Sequence, residues 1–175
     1  MTPERVQFKF AVVLLALSVL TPPLCAAGGN NAQTAFGKLQ SLEGQWEGKD
    51  QKGKPVRSYF SPIASNTAVM ETLTTRGDEM VSVYSRAANS IILVHYSAQN
   101  NQPLLRALPS SGTRQKLVFT FEEAENLPHP DAGHEYSLTI EFKDGDHITE
   151  RWTWREDGKD TDSVFHLERL HLSRN

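Results

Sequence analysis

Residues 136–154 read YSLTIEFKDGDHITERWTW, and this stretch decides the class of fold. Apolar side chains recur at alternate positions on both sides of a short turn, Asp144-Gly145-Asp146. They are Tyr136, Leu138, Ile140 and Phe142 before the turn, and Ile148, Trp152 and Trp154 after it. A period of two is typical of a strand with one buried face, and a short Asp/Gly turn typically joins two such strands. The stretch therefore predicts a β-hairpin.

The same alternation of short strands and turns covers the chain from residue 44 onward. We predict ten strands, at 44–50, 55–61, 67–74, 79–86, 90–97, 103–108, 115–122, 135–143, 147–155 and 161–171. No long helix separates them, which indicates an antiparallel sandwich or barrel. A sheet that closes on itself covers its apolar face and leaves no free edge. The predicted fold is therefore all-β, a single antiparallel up-and-down barrel of about ten strands.

A short helix is predicted before the first strand, at residues 35–42, with Thr34 as its N-cap. Phe36 and Leu39 would share one face of this helix. Residues 28–34 are small and polar, and we predict that they form a flexible leader. The barrel domain is accordingly assigned to residues 35–175.

The first 27 residues have the composition of a secretory signal peptide. Arg5 and Lys9 precede an apolar run at 10–20, which is too short to span a bilayer, and small residues follow at 25–27. We predict cleavage near Ala27, export to the periplasm or the medium, and no transmembrane segment in the mature chain. The alternative is a lipid anchor on Cys25, although a leucine stands where that signal has a small residue.

Composition excludes several classes of function. The 175 residues carry a formal net charge of −3 and a single cysteine, Cys25. Loss of residues 1–27 would change the net charge to −4 and remove the only thiol, which excludes disulfides, thiol catalysis and cysteine-ligated metals in the mature chain. The acidity argues against a nucleic-acid partner. No catalytic Ser–His–Asp order or Gly-rich phosphate loop is recognisable, so an enzymatic function has little support.

The start of the domain, Gly44-Gln45-Trp46-Glu47-Gly48, resembles the Gly-x-Trp opening of lipocalin-like (calycin) barrels. In those barrels the tryptophan closes one end and a basic residue of the last strand stacks on it. The resemblance implies that Trp46 closes one end of the barrel and that Arg169 stacks on it. The middle of the chain is similar to a group of bacterial exported proteins with lipocalin-like domains, at 68–73, 79–84, 95–96, 101–103, 106–107, 146–148 and 152–153. The resemblance implies the barrel and no particular chemistry.

Four ionisable side chains occupy apolar positions of the predicted strands: Glu71, His95, Arg106 and Glu150. If those faces point inward, the barrel encloses them, and buried charges need partners. An apolar cavity with a few convergent polar groups is the usual form of a small-molecule site. We predict that a partly apolar ligand binds there to Glu71, Tyr84, His95, Arg106, Glu150 and Trp152, with Arg106 anchoring an anionic or polar group. The alternatives are internal Glu71–Arg106 and Glu150–His95 pairs, or strands that turn these charges to solvent.

The opening of the domain also resembles that of nitrobindin-like barrels, which have ten strands and bind haem through a histidine. The candidate axial ligands are His95, His166 and His171. His166 neighbours Phe165, so an inward Phe165 would place His166 outside and argue against haem. The main prediction includes no cofactor.

Two further alternatives concern a metal and a protein partner. His129, Asp131 and His134 have the composition of a zinc site, but they belong to a Pro/Gly loop that fixes no geometry. The barrel could also be structural and bind another envelope protein through its outer surface.

Overall fold

The computed structural model describes residues 31–108 and 115–171. The predicted signal peptide lies outside these ranges. The described residues form one helix, α1 (Asn31–Gln40), and ten strands. The strands are β1 (Gly44–Asp50), β2 (Pro55–Ile63), β3 (Ala68–Thr75), β4 (Asp78–Ala87), β5 (Ser90–Tyr96), β6 (Gln102–Ala107), β7 (Lys116–Glu125), β8 (His134–Phe142), β9 (His147–Glu156) and β10 (Lys159–Arg169).

The predicted fold class is confirmed. Each strand pairs in antiparallel fashion with the next strand in the chain, and β1 pairs with β10 to close the barrel. All ten predicted strands are present, with ends that differ from the predictions by at most three residues. The alternation that predicted the strands also determines which side chains point into the barrel. These inward side chains form one apolar cluster to which every strand contributes.

Helix α1 begins four residues before its predicted start, at Asn31 rather than Ala35. Ala32 extends the apolar face of Ala35, Phe36 and Leu39 by one turn, and all four are buried. Residues 31–34, predicted as part of a flexible leader, are therefore helical. The helix packs on β2, β4 and β5, and Gln40 Nε2 donates to the Asn66 carbonyl at 2.9 Å. It covers one end of the barrel.

The closure between β1 and β10 explains the glycines of the domain opening. Gly44 has a φ of 124°, a conformation that favours glycine at the start of β1. At Gly48 a Cβ would lie 1.8 Å from the carbonyl oxygen of His166, so β1 and β10 approach too closely for any side chain.

The opposite end of the barrel is formed by the connections β1–β2, β3–β4, β5–β6, β7–β8 and β9–β10. We call it the open end because a cavity lies there. Within residues 31–108 and 115–171, no helix has the length and apolar character needed to cross a membrane.

Candidate functional site

The open end contains a cavity of about 300 Å³. Side chains of six strands and two connections line it. Leu73, Met80 and Phe165 supply apolar surface, and Trp152 and Trp154 supply two indole rings. The wall therefore combines an apolar and aromatic surface with eight polar or charged residues, among them His95 and Glu135.

His95 is the first of these polar groups. It follows Ile91 and Leu93 on the inner face of β5 and is 1% exposed. Its Nδ1 lies 3.0 Å from Ser82 Oγ, and its ring centroid lies 4.8 Å from that of Trp152. Burial lowers the pKa of His95 to about 4, so the imidazole is neutral at physiological pH. Its Nε2 is buried and has no hydrogen-bond partner among the described residues.

Glu135 is the second polar group. It lies opposite Trp154 in the β8–β9 register and lines the cavity. A bulge between Glu135 and Ser137 shifts the alternation of β8, whose inward residues further along are Leu138 and Ile140. Glu135 Oε2 is buried without a partner in the described part of the chain, and burial raises the pKa of Glu135 to about 7.

Trp154 is held at the cavity wall by the β7–β8 connection. A Cβ at Gly133 would lie 2.2 Å from Trp154 Cζ2, so the indole packs directly on the glycine backbone. The Gly133 carbonyl accepts a hydrogen bond of 2.9 Å from Asn101 Nδ2 on the β5–β6 connection. Two connections thus fix the position of one aromatic wall.

Two carboxyl groups, those of Asp78 and Glu135, line the cavity together with one guanidinium group and the imidazole of His95. Arg76 lines the cavity, but its guanidinium donates to Asp50 Oδ2, with Nη2 at 2.9 Å. The backbone N–H of Lys54, together with Arg76 and Lys52, lowers the pKa of Asp50 despite the opposing effect of burial. Because Asp50 neutralises Arg76, Asp78 and Glu135 are the remaining charged or chargeable groups of the cavity wall besides the neutral His95.

A pair of carboxyl groups lies inside the barrel. Glu71 accepts hydrogen bonds from Ser58 Oγ at 2.6 Å and from the Tyr84 hydroxyl at 2.7 Å. Glu150 accepts one from Trp152 Nε1 at 3.1 Å, and both glutamates are completely buried. Burial raises the pKa of Glu71. The pKa of Glu150 is raised well above its usual value, first by burial and then by the charge of Glu71. Glu150 therefore keeps its proton when Glu71 ionises.

The structure separates the predicted ligand-binding residues into two groups. Glu71, His95 and Glu150 lie inside the barrel, as strand periodicity predicts, but only His95 and Trp152 line the cavity. Glu71, Tyr84 and Glu150 lie among internal partners. The partners differ from the predicted Glu71–Arg106 and Glu150–His95 pairs, because Ser58 and Tyr84 bind Glu71 and Ser82 binds His95.

Arg106 requires a correction. It lies between the buried Leu105 and Ala107 on the outer face of β6, where it forms an ion pair with Glu122 and donates to Ser90 Oγ at 2.7 Å. Strand β6 has leucines on both faces, so its periodicity does not decide which face is inside, and the prediction that Arg106 points inward is wrong. Arg106 cannot anchor a ligand in the barrel.

Trp46 and Arg169 meet at the helix end. They are register partners of β1 and β10, and the Arg169 guanidinium lies 4.4 Å from the centroid of the Trp46 ring. Arg169 also donates to the carbonyls of Ser41 and Glu43 at 2.8 and 2.6 Å. This arrangement ties the last strand to the segment between α1 and β1.

The histidines proposed for metal or haem have other surroundings. His134 Nδ1 lies 2.7 Å from the Ala132 carbonyl oxygen. The described residues contain no cluster of three or more potential metal ligands, so His129, Asp131 and His134 do not form one. His166 and His171 are exposed, and Phe165 beside His166 is buried. Neither exposed histidine can serve as an axial ligand inside the barrel.

Sequence reasoning missed Glu135, Arg76 and Asp78 as cavity residues. The bulge that turns Glu135 inward has no sequence signal of its own. Arg76 lies in the β3–β4 turn and Asp78 directly follows it, and the position of this turn over the cavity depends on barrel closure. Trp154 did carry a signal, because it alternates with Trp152 on one face.

No protein-family model matches the sequence, and no curated protein shows a significant match. The geometry of the cavity therefore carries the argument for a function.

Proposed function

We propose that this protein binds a small, partly apolar molecule in the cavity at the open end of the barrel. One observation carries the proposal. Three buried polar atoms without described partners, Thr75 Oγ1, His95 Nε2 and Glu135 Oε2, belong to residues that line the same cavity, beside the indole rings of Trp152 and Trp154.

Energetics support a ligand at this place. A buried polar atom without a hydrogen bond costs about 1–3 kcal/mol, so native proteins leave few of them. A cavity of about 300 Å³ is at the lower end of the range for small-molecule sites. A ligand with an apolar body and polar atoms directed at His95 and Glu135 would satisfy both atoms and cover the aromatic surface.

The proposal includes the lipocalin-like type of the barrel and export of the protein. The stacking of Arg169 on Trp46 beside the Gly-x-Trp opening supports the first. The basic start, short apolar run and small residues of the first 27 positions support the second. The mass of the protein isolated from its host would show whether the mature chain starts near residue 28.

A cavity-filling variant tests the binding. Ser163 lines the cavity on β10, whereas Val164 lies on the opposite face of the same strand. We expect the neutral fluorophore N-phenyl-1-naphthylamine to bind the wild type and Val164→Phe equally. Ser163→Phe should weaken its binding at least about tenfold, because the added ring occupies the cavity. Equal affinity in all three proteins would place the probe elsewhere and contradict the proposal.

A further inference from the structure

Resting on the proposed function, we infer that the cavity selects a small organic cation, a protonated amine on an aromatic or aliphatic body. The inference follows from three features of the wall: a buried histidine nitrogen without a described partner, a carboxyl oxygen without a described partner, and two indole rings. Anionic and donor-free ligands lack the complementary groups.

The hydrogen bond behind His95 leaves its tautomer open to the ligand. His95 Nδ1 lies 3.0 Å from Ser82 Oγ, and a hydroxyl can either donate to a neutral imidazole or accept from it. When a ligand donates to the unpartnered Nε2, the imidazole proton lies on Nδ1 and is donated to Ser82 Oγ. His95 can therefore accept a hydrogen bond from the ligand and keep its bond to Ser82.

Glu135 supplies the second acceptor and the charge. Its Oε2 is buried without a partner in the described residues, and a carboxylate in that position is costly unless a cation lies beside it. The nearby Arg76 does not meet this need, because its guanidinium is bound to Asp50. A ligand ammonium could donate to both Glu135 and His95, since it carries up to three N–H groups.

The aromatic walls favour the same class of ligand. Trp152 and Trp154 both line the cavity, and indole gives the strongest attraction among aromatic side chains for a cation placed over its face. An anionic ligand would instead face the carboxyl groups of Glu135 and Asp78 in the same wall. The wall thus combines attraction for cations with repulsion of anions.

The protonation of Glu135 makes this binding depend on pH. The charged and titratable groups that line the cavity around it are Arg76 of the β3–β4 turn, Asp78 at the start of β4 and His95 of β5. Burial raises the pKa of Glu135 to about 7, whereas burial lowers that of His95 to about 4. Between about pH 5.5 and pH 8, Glu135 is therefore the group that gains a charge, and cation binding should strengthen as pH rises.

Three probes of similar shape test the class of ligand: phenethylamine, 2-phenylethanol and phenylacetate. By isothermal titration calorimetry at about pH 8, we expect the amine to bind at least about tenfold more tightly than the alcohol, and the anion to bind most weakly. Amine affinity should fall about tenfold or more between about pH 8 and pH 5.5, with little change for the alcohol. An amine that binds no better than the alcohol, or does not bind, overturns the inference.

Glu135→Gln provides the matched variant, because glutamine keeps the shape and removes the charge. It should lower amine affinity about tenfold and abolish its pH dependence, while N-phenyl-1-naphthylamine still binds. Glu156→Gln, an exposed position at the end of β9, should behave as the wild type. Unchanged amine affinity in Glu135→Gln also overturns the inference.

These outcomes separate the two proposals. If N-phenyl-1-naphthylamine is excluded by Ser163→Phe but the three phenyl compounds bind alike, the cavity is a binding site and its preference for cations is wrong. If Ser163→Phe leaves the fluorophore bound, the binding function itself fails.

Discussion

Glu71 and Glu150 are carboxyl groups that lie completely buried among the mainly apolar side chains of the barrel interior. Two completely buried carboxyl groups influence each other's ionisation, and Ser58, Tyr84 and Trp152 donate hydrogen bonds to them. The donors to Glu71 favour its charge, while Glu150 keeps a proton because burial and the charge of Glu71 both oppose its ionisation. The pair is a buried polar network whose stability depends on that proton.

Glu150→Gln should reduce the loss of stability at high pH. The pKa of Glu150 is raised in the folded state, so the native protein holds a proton that the unfolded chain releases above about pH 4.5. Wild-type stability should therefore fall as pH rises above that value. Glutamine cannot ionise, and at about pH 8 we expect the variant to be more stable by about 1–3 kcal/mol in urea unfolding.

The exposed Glu123 on β7 offers the control for this experiment. Glu123→Gln should follow the wild-type dependence of the unfolding free energy on pH. A Glu150→Gln variant with the same pH dependence as the wild type would show that the buried pair does not hold the extra proton.

Among the elements, β1 and β10 close the barrel by pairing with each other. Arg169 lies on Trp46, donates to the carbonyls of Ser41, Glu43 and Gly145, and lies 3.3 Å from an Asp146 oxygen. A lysine keeps the charge but not the planar fork that reaches several acceptors at once.

Arg169→Lys should therefore destabilise the protein by about 1–3 kcal/mol, because carbonyl groups at the helix end lose their donors. Binding of N-phenyl-1-naphthylamine at the open end should not change at temperatures where the variant is folded. Arg151→Lys is the control, since Arg151 is half exposed and pairs with the surface Asp162, where the expected change is below about 1 kcal/mol. Equal melting temperatures for the two variants would refute the role of Arg169 in closure.

Strands β6 and β8 show where sequence patterns stop being informative. Turn signals and apolar alternation placed all ten strands, and a period of two placed Glu71, His95 and Glu150 on the same faces as the buried Leu73, Leu93 and Ile148. On β6, Leu104 and Leu105 lie on opposite faces, so the alternation does not decide the side of Arg106, whose partner Glu122 is outside. On β8, a bulge reversed the alternation and brought Glu135 into the cavity. Patterns predict a face only where the strand is regular and the two faces differ.

At the scale of the whole molecule, the barrel divides into a packed part and a cavity. Large side chains such as Tyr84, Phe60 and Phe119 fill the interior, and α1 with Trp46 covers one end. The space left at the open end depends on the sizes of side chains contributed by several strands and two connections. The sequence could predict a closed barrel from local alternation, but not where its interior stays unfilled.

The three tryptophans of the chain allow the most direct test of where a ligand binds. Trp152 and Trp154 line the cavity, and Trp46 lies at the other end of the barrel. Their indole N–H groups give separate signals in a ¹H–¹⁵N spectrum recorded during titration with N-phenyl-1-naphthylamine. If the fluorophore binds in the cavity, the signals of Trp152 and Trp154 shift and saturate together while that of Trp46 stays in place. A shift of Trp46 alone, or bound fluorophore with no shift of Trp152 and Trp154, would contradict binding in the cavity.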